Sequence, residues 1–473
     1  MRNTLIFAGN SCPALTGQIC EHLGMYPAHA ELTQFSNGET SVRILTSVRE
    51  KDVFVVQSGS ARVNDSIMEL LIMISACKGG SANKITAVLP YFPYSRQSKK
   101  KSYRGAITAR MLANLLGVAG VKHVITVDLH ASQMQGFFKC PVDNLHAEPI
   151  IATWVRGNVP NWREAVVVSK NAGGTKRVTS LADALKLNFG MVTTDRKRGI
   201  SMTGSTTLIP PDAENGRAVK PEKTSIRSSR TIADSNGSPV RRTETPRKTT
   251  SGSPQPASAS TKTPPQQSRR LSTTDADYHD ERVREVIHGR LVQGHLVEDN
   301  FPSPERSTEH SVADDDPMTM SHASSFFAHE RQSHGDPAAS SDEEDNAFQN
   351  TKDEHMITLV GNVRDRPVLI VDDMIDKPGS WIAAAETVVK KGSAKKVFCI
   401  ATHGVFGGDC LQQLQECECI DTIVVTNSFP ISQETAKGCN KLVILDLSSL
   451  LAEAIRRNHY GESISPLFLH GGD

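Results

Sequence analysis

The amino-acid sequence predicts an α/β protein with parallel sheets, built as two ordered blocks on either side of a long low-complexity insert. In both blocks, short runs rich in Val and Ile alternate with segments of helical apolar spacing, the pattern of parallel strands covered by helices on both faces. Between the blocks, residues 199–355 are rich in Ser, Thr, Pro and charged residues. Polar residues directly follow several of the apolar runs, at the sheet edge where open α/β folds bind ligands.

The first block contains three predicted strands, at residues 53–57, 85–90 and 124–128. Each is a short run dominated by apolar and β-branched residues, as expected for strands buried on both faces. A helix is predicted over residues 65–78, between the first two strands. Asn64 is its predicted N-cap, because an Asn side chain accepts a hydrogen bond from a free backbone N–H of the first turn.

The second block repeats the pattern with four predicted strands, at residues 165–169, 368–372, 397–400 and 423–426. A helical run over residues 382–391 follows the second of them. Two similar α/β halves in one chain indicate an internal duplication.

The insert at residues 199–355 has too few large apolar residues to offset the entropy lost on ordering, so we expect it to be disordered. We also expect its deletion to leave folding intact. Residues 275–299 are the exception, and a short helix is predicted there from four apolar residues at helical spacing: Val283, Val286, Ile287 and Leu291. Serines within 269–272 and 340–345 are candidate phosphorylation sites, since a phosphate changes the local charge of a flexible segment.

Composition excludes several classes of protein. The chain has 473 residues, and its 53 Lys and Arg residues balance 52 Asp and Glu residues, so its charge favours neither nucleic-acid nor membrane binding. No apolar run approaches the ~20 residues needed to span a bilayer, so a soluble cytoplasmic protein is expected. The nine cysteines include no Cys-x-x-Cys pair, as expected for reduced thiols.

The most informative segment is residues 128–143, DLHASQMQGFFKCPVD. Asp128 and His130 stand one residue apart directly after a predicted strand, so both side chains leave one face at the ligand-binding edge. An Asp-x-His pair alone is more often a solvated strand end. In this position it predicts a site for a metal and a nucleotide.

A second segment, residues 371–381, has the sequence VDDMIDKPGSW. Asp372 and Asp373 end a predicted strand and can bind the neighbouring hydroxyls of a sugar. The glycine-containing loop that follows opens a helix, whose backbone N–H groups and positive dipole end suit a phosphate. The structural alternative is an ordinary capped turn between a strand and a helix.

The two segments together resemble ribose-phosphate diphosphokinases, which make phosphoribosyl diphosphate, and in particular the fungal subunits with a long insert. The resemblance covers about residues 5–198 and 356–470. It implies two phosphoribosyltransferase-like domains: residues 1–145 on the ATP side, and residues 146–198 with 356–473 on the ribose 5-phosphate side. It identifies residues 199–355 as an insert.

The resemblance also implies roles for individual residues. The expected ATP-binding residues are Phe35, Asn37, Glu39, Arg96, Gln97 and His130. The expected ribose 5-phosphate residues are Asp372, Asp373, Asp376, Lys377, Gly379 and Ser380. Arg196 and His130 are expected to be catalytic, and Mg²⁺ is expected at Asp128, His130 and Asp143. An allosteric phosphate or ADP site is expected at Ser47, Arg49, Ser132, Gln135, Asn144, Ser463 and Ser465.

The sequence departs from the family pattern at several of these places. Thr194 stands where a catalytic lysine is usual, and Asn171 and Lys139 each replace an aspartate. In the phosphate loop, Lys377 and Pro378 replace a threonine and a small residue, which removes a hydroxyl and a backbone N–H donor. These changes predict weaker catalysis by the isolated chain.

The implied reaction transfers diphosphate from Mg-ATP to ribose 5-phosphate, giving phosphoribosyl diphosphate and AMP for purine, pyrimidine, histidine and tryptophan biosynthesis. Paralogous subunits in a hexamer-type hetero-oligomer are the expected partners. The alternative is a catalytically weak regulatory or scaffold subunit of such an assembly. A transferase that consumes phosphoribosyl diphosphate is disfavoured, because such enzymes need one domain and lack the segment at 128–143.

Overall fold

The computed structural model describes residues 1–100, 104–196, 286–298, 300–301 and 354–468, with the backbone alone at Asp195, Arg196 and Glu354. The described parts of both blocks belong to one compact unit. No helix among these residues has the length and apolar character needed to cross a membrane.

The first half is a parallel five-stranded sheet, ordered β1-β4-β5-β6-β7 within the described residues. Its elements are β1 (Thr4–Ala8), α1 (Pro13–His22), β2 (Ala30–Gln34), β3 (Thr40–Ile44), β4 (Asp52–Val56), α2 (Val63–Gly79), β5 (Lys84–Leu89), α3 (Thr108–Ala119), β6 (His123–Val127) and β7 (Val142–Leu145). Strands β2 and β3 form a separate antiparallel pair. The three predicted strands and the predicted helix are confirmed.

The predicted helix cap is wrong. Helix α2 begins at Val63, and the residue before it, Arg62, makes no capping hydrogen bond through its side chain. Asn64 lies inside the helix, where its Oδ1 accepts a hydrogen bond from the Tyr94 hydroxyl at 2.6 Å.

The second half is a nine-stranded mixed sheet, ordered β11-β10-β12-β9-β8-β13-β14-β15-β16 within the described residues. Its elements are α4 (Glu148–Asn158), β8 (Val166–Ser169), α5 (Thr175–Leu185), β9 (Asn188–Arg196), β10 (Val286–Val292), β11 (His295–Val297), β12 (Glu354–Val360), β13 (Pro367–Ile375), α6 (Gly379–Glu386), β14 (Lys396–Gly404), α7 (Cys410–Glu416), β15 (Thr422–Thr426), α8 (Gln433–Gly438), β16 (Leu442–Leu445) and α9 (Ser448–Tyr460). The four predicted strands are confirmed, and the parallel α/β fold with them.

The short helix predicted within residues 275–299 is wrong. Residues 286–297 form the β10–β11 hairpin, and β10 pairs antiparallel with β12 along its whole length. The same apolar residues satisfy a strand because Leu291 packs, fully buried, in a cluster with Ile357 and Leu359. A short apolar run fits either a helix or a strand, and here the free edge of β12 favours the strand. The local sequence does not show that such an edge is available.

The hairpin is also fixed to the helix that follows β13. The backbone N–H of Leu296 donates to Glu386 Oε2 at 2.8 Å, at the end of α6. Lys390 pairs with the other oxygen of Glu386 at 2.8 Å. A part of the predicted insert is therefore a structural part of the second half, whereas residues 199–285 and 302–353 lie outside the described residues.

This packing revises the expectation that the whole insert is dispensable. We expect deletion of residues 210–275, which keeps the hairpin, to leave the free energy of unfolding nearly unchanged. Deletion of residues 210–350 exposes the apolar surface under Leu291 and Val292 and should lower that free energy by about 3 kcal/mol or more. Thermal and denaturant unfolding of both variants measures the difference, and equal stability of the two would contradict the structural role of the hairpin.

Candidate active site

A cavity of about 630 Å³ lies at the ends of strands from both halves. Segments that follow β6 and β8, the end of β7, and the middle of β13 form its walls, together with the first turns of α4 and α5. In parallel sheets these carboxyl ends are the usual ligand-binding edge. The predicted residues Asp128, His130, Asp372 and Asp373 all line this cavity.

The centre of the site is the carboxylate pair Asp372 and Asp373, which are 5% and 2% exposed. Lys170 Nζ lies 3.2 Å from one oxygen of Asp372, and Arg177 lies 3.5 and 3.6 Å from the two carboxylates. His130 Nδ1, from the first half, lies 2.7 Å from Asp373 Oδ2. Buried charges are tolerated when they are paired in this way.

The two neighbouring carboxyl groups titrate in opposite directions. Burial, with the charge of Asp373 beside it, raises the pKa of Asp372 to about 6, although Lys170 acts in the opposite direction. Burial also acts to raise the pKa of Asp373, but Arg177 and His130 outweigh it and hold that pKa well below its usual range. Two adjacent acids with separated pKa values are typical of functional sites.

Asp128, a further residue of the cavity wall, also contacts both halves. Its Oδ2 accepts hydrogen bonds from the backbone N–H of Ala147 at 3.0 Å and from the hydroxyl of Thr402 on β14 at 2.7 Å. Its Oδ1 lies 2.9 Å from His146 Nδ1. Burial acts to raise the pKa of Asp128, but these hydrogen bonds and charges lower it to about 2. Asp128 has a φ of 42°, an uncommon conformation for a residue other than glycine.

The predicted phosphate loop lies next to this cavity without lining it. Arg96, which does line the cavity, forms an ion pair with Asp376 at 2.5 Å. Ser380 accepts a hydrogen bond from Lys170 Nζ at 3.1 Å. Gly379 is the first residue of α6, and Lys377 and Gly379 are half-buried. The loop therefore offers the start of a helix beside the acidic pair, as the sequence predicts.

Part of the predicted ATP site lies elsewhere in this chain. Phe35, Asn37 and Glu39 occupy the turn between β2 and β3, where Phe35 is 59% exposed. None of the three lines the cavity. Gln97 is exposed, and its Oε1 accepts a hydrogen bond from the Thr108 hydroxyl at 2.5 Å. Within one chain, only Arg96 and His130 of the predicted set line the cavity.

The structure does not bring the three predicted magnesium ligands together. Asp143 pairs with His123 Nε2 at 2.8 Å and does not line the cavity, because its strand neighbour Asn144 takes the cavity-facing position. Among the described residues, no group of three acidic, His or Cys side chains is arranged to hold a metal ion. Asp128 and His130 remain on the cavity wall, already hydrogen-bonded to protein groups.

The predicted allosteric residues are similarly divided. Ser132 and Asn144 line the cavity, and Asn144 Oδ1 accepts a hydrogen bond from the Leu129 N–H. The others are exposed: Ser47 and Arg49 before β4, Gln135 on a short helical turn, and Ser463 with Ser465 after α9, joined by a 3.1 Å hydrogen bond.

The remaining predicted catalytic residue, Arg196, ends strand β9, and its side chain lies outside the described residues. Thr194 lies two residues earlier on the same strand, opposite Ile357 of β12.

Four residues of the site were not assigned a role from the sequence: Lys170, Arg177, His146 and Thr402. Lys170 follows β8 directly and Arg177 lies in the first turn of α5, so their proximity to a strand end was a usable signal. His146 follows β7 directly and had the same signal. Thr402 lies inside the buried run of β14, where nothing local distinguishes it from a core residue.

Comparison with known proteins shows the family of the chain. Residues 4–120 match the family model described as the N-terminal domain of ribose phosphate pyrophosphokinase, and residues 306–469 match the phosphoribosyl synthetase-associated domain. The chain is 47% identical over 473 residues to ribose-phosphate pyrophosphokinase 1 of Saccharomyces cerevisiae, covering 99% of both chains. The chain belongs to the ribose-phosphate pyrophosphokinase family.

Two further relatives agree with this assignment to the ribose-phosphate pyrophosphokinases. Ribose-phosphate pyrophosphokinase 1 of Schizosaccharomyces pombe is 46% identical, again over 99% of each chain. The crystal structure of phosphoribosylpyrophosphate synthetase from Mycobacterium smegmatis superposes with a TM-score of 0.60 at 24% identity, covering 97% of this chain and 100% of that one. The latter likeness supports the fold.

The His146–Asp128 contact gives the ribose-phosphate pyrophosphokinase chain a pH-dependent stability term. The hydrogen bond to Asp128 raises the pKa of His146 in the folded protein. The protonated imidazole therefore stabilises the fold below the unfolded pKa of about 6.5, and the contribution is lost as pH rises through the folded pKa. Wild-type protein should exceed His146→Gln in melting temperature at pH 5.5 by more than at pH 8. The exposed His29→Gln serves as control, and a difference independent of pH would contradict the assignment.

Proposed function

We propose that this chain catalyses transfer of the β,γ-diphosphoryl group of ATP to the anomeric hydroxyl of ribose 5-phosphate, giving phosphoribosyl diphosphate and AMP. The observation that carries the proposal is the acidic pair of β13, held by Lys170, Arg177 and His130 from both halves beside one cavity, in a chain that matches a ribose-phosphate pyrophosphokinase along its length. Residues 146–198 and 356–473 form the sugar side, and residues 1–145 the ATP side.

On the sugar side, Asp372 and Asp373 suit two neighbouring hydroxyls. Carboxylate oxygens accept hydrogen bonds from sugar hydroxyls, and the fixed cations around the pair hold both side chains in one orientation. The first turn of α6, at Gly379 and Ser380, offers backbone N–H groups for the 5-phosphate. The hydroxyls and the phosphate of a five-carbon sugar phosphate thus each have residues that can bind them.

On the ATP side, Arg96 and Lys99 line the cavity, and Arg96 also pairs with Asp376. An arginine recognises phosphate oxygens through two parallel hydrogen bonds. His130 lies between the two sides, since it contacts Asp373 while belonging to the first half. A triphosphate bound by Arg96 would therefore approach a sugar bound at β13.

Magnesium fits this site mainly as a companion of the nucleotide. Mg²⁺ keeps several water ligands and is usually bound by one or two carboxylates together with substrate phosphates. Asp128 and His130 are the residues of this chain on the cavity wall that would hold it. When bound, the ion neutralises the charge of the triphosphate.

Charge neutralisation and alignment are the chemical demands of the transfer. In the transition state the transferring diphosphoryl group carries negative charge spread over its oxygens, and fixed cationic groups stabilise that charge. Arg196, at the end of β9, is the residue we assign to this task. His130 keeps the acidic pair in place while the anomeric hydroxyl attacks the β-phosphorus and AMP leaves.

The exposed hairpin with Phe35, Asn37 and Glu39 favours an assembly. These residues resemble the nucleotide-binding residues of the family but lie outside this chain's own cavity. A neighbouring subunit, either a second copy or a paralogue, would bring an equivalent hairpin to the cavity. The alternative role, a regulatory subunit with weak catalysis, is favoured by Thr194, which offers no cation where the family has a lysine.

Removing the acidic pair tests the sugar side. Asp372→Asn combined with Asp373→Asn keeps the side-chain shapes and removes two charges. We expect the rate of AMP and phosphoribosyl diphosphate formation to fall by about 10²- to 10³-fold, the scale reported for losing one preorganised electrostatic contact. Asp183→Asn, an exposed acid on α5, is the control for charge alone. Unchanged turnover of the folded double variant would exclude catalysis at this cavity.

Restoring the missing cation tests the weak-catalysis alternative. Thr194→Lys should raise kcat by about tenfold or more, because it restores the cation that the family has at this position. The matched control is Thr193→Lys, whose side chain leaves the opposite face of the strand. KM for ribose 5-phosphate should stay the same in both variants. An equal effect of the two lysines, or none, would contradict the assigned position of residue 194.

A further inference from the structure

A buried lysine lies directly against the acidic pair. Lys170 follows strand β8, and because Ser169 is the register partner of Val371, residue 170 lies beside Asp372. Its Nζ lies 3.2 Å from Asp372 Oδ2 and donates to Ser380 Oγ at 3.1 Å. Lys170 therefore bridges the carboxylate that faces the sugar hydroxyls and the helix start that faces the phosphate.

The ammonium group is fixed in this position by its surroundings. Lys170 is only 4% exposed, and its Nζ lies 5.4 Å from the centre of the Trp381 ring. A buried ammonium is costly unless it is paired, and here a carboxylate, a hydroxyl and an aromatic face meet it together. Rotation toward solvent would forfeit all three contacts, so the charge stays at the acidic pair.

The next residue also presents a donor. Asn171 Oδ1 accepts a hydrogen bond from the Gly174 N–H at 2.9 Å, which orients the amide. Its Nδ2 is buried and has no hydrogen-bond partner among the described residues, and Asn171 lines the cavity. An amide N–H donates to a ligand oxygen and cannot bind a cation. Residues 170 and 171 are therefore suited to an anion or a hydroxyl.

The carboxylates of the pair are already in contact with basic side chains and a backbone N–H of the protein. Both oxygens of Asp372 contact donors, at Lys170 on one side and Arg177 with the Asp373 N–H on the other. Asp373 is held by His130 and Arg177. A divalent cation binds where carboxylates have uncompensated charge, and this pair has little left to offer.

We propose that Lys170 is the built-in counter-ion of the sugar-phosphate side, so that ribose 5-phosphate binds there without a divalent cation. The inference rests on the proposed function, whose sugar side it specifies. The Asn171 amide contacts the bound sugar phosphate, Lys170 acts through Asp372 and Ser380, which it holds in place, and the magnesium requirement is confined to ATP. Lys170 is thereby a specificity-determining residue, since it selects an anionic sugar in its metal-free form.

Calorimetric titration of the purified full-length chain with ribose 5-phosphate, in Mg²⁺ and in EDTA, tests this directly. Wild-type affinity should agree between the two conditions within about twofold, less than the effect of one charge contact. Lys170→Met, similar in length but uncharged, should bind about tenfold more weakly in EDTA, the scale of one lost charge-assisted hydrogen bond. Mg²⁺ should restore part of that loss, because Asp372 is then free for a cation. The exposed Lys395→Met is the matched control and should behave as wild type.

Asn171→Asp provides a second variant that leaves the buried lysine in place. It replaces the donor with a carboxylate, so binding in EDTA should weaken and become dependent on Mg²⁺. Wild-type binding that disappears in EDTA, or a folded Lys170→Met that binds normally in EDTA, would overturn the inference and leave the proposed function intact. A folded wild-type chain that binds no ribose 5-phosphate in either condition would instead contradict the proposed function.

Discussion

The buried carboxylate pair Asp372 and Asp373 of β13 is the constraint on which the rest of the site depends. Two adjacent acids with almost no solvent cannot both stay ionised without cations around them. Lys170 and Arg177 come from the segment after β8, and His130 comes from the other half of the chain. The need to neutralise Asp372 and Asp373 therefore brings the segments after β6 and β8 together at β13. The cavity lies between these segments.

The second half likewise provides hydrogen-bond donors to an acid of the first half. Asp128 belongs to the first half, and Thr402 and His403 of β14 contact it from the second, the latter through its imidazole Nε2 and the Asp128 carbonyl at 3.2 Å. Each half thus completes the hydrogen bonding of an acid in the other. The cavity therefore lies where side chains of the two halves meet.

The sequence was sufficient wherever the information was local. Buried parallel strands have continuous apolar runs, so β4, β6 and β13 could be recognised, and with them Asp128 and Asp372 at or near strand ends. Long-range partners could not be recognised. The pairing of Asp143 with His123 and the strand at Leu291 depend on which sheet edge or side chain is nearby, and no spacing encodes that. The sequence shows that Lys170 follows a strand, but its contact with Asp372 could be recognised only from the register of β8 against β13.

We propose that sugar and nucleotide meet at the acidic pair of one cavity. A crystal structure of the full-length chain with ribose 5-phosphate, Mg²⁺ and a non-hydrolysable ATP analogue tests this most directly. We expect sugar hydroxyls hydrogen-bonded to Asp372 and Asp373, the 5-phosphate at the start of α6, and the triphosphate at Arg96 and His130. Ligands bound in another part of the chain, with the cavity filled by solvent, would contradict it.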